Sequence, residues 1–167
     1  NENVGLTSIH ALFVREHNRL AELIAANDNT LGDEEIYLRA RKIVGAEMQA
    51  ITYNEFLPAL IGTAAPLADD FTYEFFNDAS ITLAFSTAAF RFGHSMQSPE
   101  LLLVGPDGTE LGALPLAEAS STPSLLANAP NVADPLLKGL ASQTAQENDA
   151  KMIDELRNML IGPPGST

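Results

Sequence analysis

Leu6-Thr7-Ser8-Ile9-His10-Ala11-Leu12-Phe13-Val14-Arg15-Glu16-His17-Asn18-Arg19-Leu20 is the stretch that decides the class of the fold. Read on to Ala26, its apolar residues Ile9, Leu12, Phe13, Leu20, Leu23 and Ile24 recur near the 3.6-residue period of an amphipathic helix. Thr7 or Ser8 offers a side-chain oxygen to cap its start. Arg19 and Glu22 lie one turn apart and are expected to pair. Asn27-Asp28-Asn29-Thr30-Leu31-Gly32 is loop chemistry. A second helix is expected from Asp33, because Asp33, Glu34 and Glu35 crowd a first turn where the helix dipole favours negative charge. Its apolar face is Ile36, Ala40, Ile43, Val44 and Met48, its polar side Arg39, Arg41 and Lys42, and Pro58 ends or kinks the pattern near Phe56-Leu57.

Further along, Gly62 to Asp70 reads as a connector of small residues with Pro66. Asp78 to about Met96 is almost all apolar or small, which predicts a third helix buried on most sides. Leu101–Val104 followed by Pro106-Asp107-Gly108-Thr109 predicts a short strand and turn. Ala117 to Pro130 is expected to be irregular, and Asp134–Ser142 and Asn148–Leu160 to be helices. No repeat, heptad array or interdomain linker is visible. The class is therefore mainly α, with a short β-hairpin or strand segment.

Composition narrows the function. The 167 residues carry 9 Lys and Arg against 22 Asp and Glu, a formal charge of −13. A phosphate-binding surface needs clustered positive charge, so neither nucleic acid nor an anionic membrane surface is an expected partner. Hydrophobic residues make up 46%, enough for a core, yet no apolar run is long enough to span a bilayer. Cysteine is absent, which excludes thiolate catalysis, disulfides and Cys-based metal sites. The first residue is Asn1 and the chain closes on Gly162-Pro163-Pro164-Gly165-Ser166-Thr167, so both ends read as those of a piece of something longer.

Few residues suggest chemistry. His10 and His17 are seven apart on one helix, roughly 10 Å along its axis, too far to share a metal ion; structural hydrogen bonding is the reading for both. Asp69-Asp70 and Asp33-Glu34-Glu35 read as solvated charge, without the alternating ligands of a calcium loop. No phosphate-binding Gly loop and no nucleophile elbow is present. His94 differs. Gly93 precedes it, and Arg91, three residues earlier, shares its face. A buried imidazole, a small residue that lets a flat group approach and a nearby cation suit haem, with His94 as axial donor and Arg91 for a propionate. On spacing alone a satisfied core histidine remains the commoner case.

Several stretches together resemble the animal-type haem peroxidases of the peroxidase–cyclooxygenase superfamily. They are Leu6-Thr7-Ser8-Ile9-His10 with Arg15-Glu16-His17-Asn18-Arg19-Leu20; Ala40-Arg41-Lys42-Ile43-Val44-Gly45-Ala46; Ile51-Thr52-Tyr53-Asn54-Glu55-Phe56-Leu57-Pro58; Ala89-Phe90-Arg91-Phe92-Gly93-His94-Ser95; and Asp134-Pro135-Leu136-Leu137-Lys138-Gly139-Leu140 with Asp154-Glu155-Leu156-Arg157-Asn158. They run in order from end to end.

The resemblance implies a haem-peroxidase-like helical fold in which His94 is the proximal haem-iron ligand and Arg91 contacts a propionate. Glu2 stands where a relative's Glu forms an ester with a haem methyl; Asn3 follows it where myeloperoxidase has a bonded Met, so that second link is not expected. The distal His and Arg, the calcium site and the partner of the proximal His are all expected outside residues 1–167, which makes the chain the central part of one catalytic domain. The implied activity is reduction of hydrogen peroxide and, by way of a ferryl haem, oxidation of a halide, thiocyanate or phenol, in a secreted protein; the isolated chain is expected to be inactive. The alternatives are a haem fatty-acid dioxygenase of the same superfamily and a non-catalytic, peroxidase-like adhesion module.

Overall fold

The computed structural model describes residues 3–67, 71–120, 122, 124–125 and 132–162. By its contacts the chain divides into two compact units, Asn1–His10 with Ser80–Thr167, and Ala11–Ala79. Among the described residues the architecture is mainly α with one small hairpin, as the sequence implies.

Helix α1 spans Val4–Asn27. Its cap is neither Thr7 nor Ser8: the Asn3 side-chain oxygen accepts from the Leu6 N–H at 2.8 Å. Thr7 and Ser8 sit inside the helix, and their hydroxyls donate back to the carbonyls of Asn3 (3.0 Å) and Val4 (2.8 Å). Arg19 pairs with Glu16 and not with Glu22, its Nε donating to Glu16 Oε2 at 2.8 Å. That bond holds the Glu16 carboxyl below its ordinary pKa.

In the unit from residue 11 to 79, helix α2 (Asp33–Ile51) starts where its acidic first turn predicts. Glu35 supports that start by accepting from the Gly32 N–H at 3.2 Å, the half of a capping box that a glycine N-cap allows. Ala40 and Val44 are buried, whereas Ile43 and Met48 of the expected apolar face are exposed. Pro58 does not end the helical path. The chain widens into one π turn over Thr52–Phe56, where the Leu57 N–H donates to the Thr52 carbonyl, and continues as α3, Leu57–Ile61, with the proline in its first turn. Gly62, at φ 57, turns the chain out.

The other unit is built on a hairpin. β1 (Glu100–Val104) pairs antiparallel with β2 (Glu110–Pro115). Asp107 shapes the turn by accepting from the Thr109 N–H (3.0 Å) and hydroxyl (2.8 Å), and Gly108 takes φ 84. A short helix, α5 (Leu116–Ala119), follows β2 inside the stretch expected to be irregular and buries Leu116 and Ala119. Helix α6 (Ala133–Ser142) lies on β1, and α7 (Asp154–Ile161) completes the unit. The core is Val4, Leu101, Ala119 and Leu136, with Leu103, Leu114, Leu125 and Leu140 against it.

The α6–β1 approach is very close. A Cβ on Gly139 would overlap the Leu102 carbonyl. Beyond it the Gln143 side chain acts as a short extra strand: its oxygen accepts from the Leu102 N–H (3.1 Å) and its amide donates to the Glu100 carbonyl (3.0 Å). The last helix is shorter than its pattern predicts. Residues 148–153 stay irregular, with the Asp149 carboxylate accepting from the Lys151 N–H at 2.7 Å, a local bond that competes with helix.

The largest departure is the third helix. In place of one buried helix over 78–96 there is α4, Leu83–Thr87, then a separate 3₁₀ helix, Ala89–Met96. The residues from Phe71 to Phe92 are exposed.

Candidate haem-binding site

Local hydrogen bonding explains the break in front of His94. Thr82 caps α4 by accepting from the Phe85 N–H at 3.2 Å. The hydroxyls of Ser86 (3.1 Å) and Thr87 (2.6 Å) both donate to the Leu83 carbonyl. Such back-bonding competes with the helical ladder. Ala88, at φ −124 and ψ −68, leaves the α region. Its carbonyl then accepts from the Arg91 N–H at 2.9 Å, and the chain rewinds as 3₁₀ helix.

In a 3₁₀ helix side chains at i and i+3 eclipse, so Arg91 and His94 stand one above the other. His94 is half-buried and Arg91 exposed. Neither side chain makes a hydrogen bond or ion pair among the described residues. Around a Cβ built on Gly93 there is nothing within 4 Å. Phe85 and Phe90 face each other with ring centroids 6.0 Å apart, and both, with Phe92, are exposed.

These residues fit a haem. Among the described residues they offer one imidazole and one guanidinium without side-chain partners, exposed apolar rings, and open space at the adjoining glycine. Haem asks a single donor of each axial position, so the site needs no multidentate cluster. No group of three or more His, Cys, Asp or Glu converges on a metal among the described residues.

Glu2, the expected ester-forming carboxylate, lies outside the described residues. Its neighbour Asn3 is anchored, capping α1 and bridging to Ser120. Asp69 and Asp70 also lie outside. His17 belongs to the other unit, where its Nε2 is 3.3 Å from the Tyr37 carbonyl oxygen and its ring lies 5.1 Å from that of Tyr37. That is the structural role expected of it.

One set of contacts has no local signal. Ser95 Oγ donates to the Phe92 carbonyl at 3.0 Å and lies 3.3 Å from the Asn148 amide oxygen, and the Gln146 N–H donates to the Met96 carbonyl at 3.0 Å. Beside them opens a cleft of about 200 Å³, lined by Gly93, Met96, Leu101, Leu140 and Gln143 among others; His94 does not line it.

The family model described as animal haem peroxidase matches residues 1–167. Peroxinectin A of Dictyostelium discoideum is 36% identical over 165 residues, covering 99% of this chain and 30% of that protein. The peroxidasin homolog of Homo sapiens is 43% identical over 145 residues, or 84% of this chain and 10% of that one. Mouse eosinophil peroxidase is 38% identical over 170 residues, or 96% and 23%. Among solved structures, peroxidase A from Dictyostelium discoideum matches with a TM-score of 0.79 at 36% identity, covering 99% of this chain and 31% of that one. The chain thus spans less than a third of each of these relatives.

Proposed function

The chain belongs to the animal haem peroxidase family, and from that premise we propose that it forms the proximal haem-binding part of a peroxidase, with His94 as the iron ligand. The observation that carries the reading is the pair on the 3₁₀ helix: an imidazole and a guanidinium, eclipsed and both without side-chain partners among the described residues.

His94 would hold the iron through the lone pair of one ring nitrogen. Arg91 offers a planar fork of N–H donors that matches a propionate carboxylate. Phe85, Phe90 and Phe92 would supply apolar surface to a bound porphyrin, and Gly93 would let a flat group approach. Glu2 is assigned the ester link to a haem methyl. The chemistry that haem supplies when bound is reduction of hydrogen peroxide coupled to oxidation of a halide, thiocyanate or phenolic donor. No acid–base residue acting on peroxide is assigned within residues 1–167, and the family's calcium is assigned elsewhere too. An extracellular setting accords with the acidic composition, and no helix among the described residues is long and apolar enough to cross a membrane.

The test is titration of ferric haem into the chain, followed by the haem's visible absorption. His94→Ala is expected to abolish the histidine-ligated spectrum, and Arg91→Ala to weaken binding while keeping that spectrum. A wild-type spectrum in His94→Ala overturns the assignment. With peroxide and a phenol added, the chain alone is expected to give no robust turnover.

A further inference from the structure

We propose that Asn148 is a positioning residue for His94, clamping the end of the helix that carries it. The inference rests on the haem-ligand reading above, but its geometry stands independently. The His94 helix is 3₁₀ over eight residues, whereas runs beyond three or four are uncommon because the hydrogen bonds are poor. Such a helix needs support from outside itself, and both residues after His94 receive it. Met96 accepts from the Gln146 N–H, which satisfies a terminal carbonyl that has no partner within the helix. Ser95 meets Asn148 across 53 residues.

The Ser95 hydroxyl has one hydrogen, and Phe92 O at 3.0 Å is its shorter acceptor. Asn148 then meets the hydroxyl lone pair through its NH₂, with the amide's two ends exchanged. The clamp is itself anchored. The Gln143 N–H donates to the Gly139 carbonyl at 2.8 Å, ending α6, and the Gln143 amide grips β1. The chain from 144 to 148 therefore leaves a fixed point three residues before Gln146. A metal-bound imidazole must hold its orientation, and groups that orient ligands typically contribute 10–100-fold in affinity.

The experiment uses Asn148→Leu, Ser95→Ala and their double variant in the 167-residue chain. Two readouts apply: ferric haem titration, and NMR of the ligand-free chain following the His94 ring signals and exchange of the Gln146 N–H. Each single change is expected to weaken haem binding about tenfold, to shift or broaden the His94 ring signals and to speed Gln146 exchange. The double variant should be no worse than the worse single one, as for two halves of one contact. Urea midpoints should stay at the wild-type value. Unchanged His94 ring signals in both single variants overturn the proposal, whatever the haem arm reads. So does full additivity in the double variant. His94→Ala separates the two readings: if it binds haem as wild type does, the ligand assignment fails, while the ring signals and Gln146 exchange still decide the clamp.

Discussion

The contact between β1 and α6 and the run from Ile81 to Phe92 draw on similar residues and end in opposite states. Leu101 and Leu136 are 3% and 0% exposed, whereas Leu83 is 77% and Phe90 61% exposed. Neither hydrophobicity nor helix propensity separates them. What separates them is a surface within reach. Gly139 lets a helix backbone settle against a strand carbonyl, and the leucines around it close over each other. The run from Ile81 to Phe92 meets no such surface among the described residues, and its Ser86 and Thr87 hydroxyls cut its helix short. Apolar composition thus reports what a segment would gain from burial; backbone geometry decides whether it is buried.

Gly139→Val should disturb that contrast most. Its Cβ would overlap the Leu102 carbonyl, so α6 must lift from β1, at a cost of about 3 kcal/mol, read as a fall in the urea midpoint and loss of Leu102 amide protection. Asn3→Ala removes the α1 cap and should cost about 1 kcal/mol, by the same measurement. On the exposed side, Phe76→Ser, at a residue 95% exposed, and Gly93→Ala, where a methyl meets open space, should each stay within about 0.5 kcal/mol. Gly93→Ala should nevertheless weaken haem uptake, which would show that the space serves a ligand and not the fold.

The smallest effect concerns the hairpin turn. Bonds from Thr109, first from its backbone N–H and then from its hydroxyl, hold the Asp107 carboxyl below its ordinary pKa, with Lys138 adding to the effect. A lowered folded-state pKa means that its contribution is complete above the ordinary carboxylate range and is lost as pH falls through the lowered value. The Thr109 amide resonance should report the change at a pH below that of a free aspartate. An ordinary midpoint there would remove Asp107 as the turn's organiser.

Much of the fold was legible because its signals are local. The acidic turn at Asp33, with Glu35 reaching back to Gly32, marks the start of α2, and Pro106-Asp107-Gly108 marks the hairpin. The cap of α1 was also signalled, by Asn3, but Thr7 and Ser8 stood nearer the apolar run and drew the reading inward. The Arg91–His94 spacing was legible as a motif and persists although the helix around it changed type. The Ser95–Asn148 contact was not, because nothing in either segment points to a partner 53 residues away. Nor was the division into two units, one boundary of which falls inside α1, between His10 and Ala11.

The Gln143 amide has a consequence beyond its own helix. A two-stranded ribbon ordinarily leaves outward N–H and C=O groups on which a strand from another copy can nucleate. By occupying the Leu102 donor and the Glu100 acceptor, one side chain blunts that template, and the ribbon is guarded on this flank against edge-to-edge polymerisation.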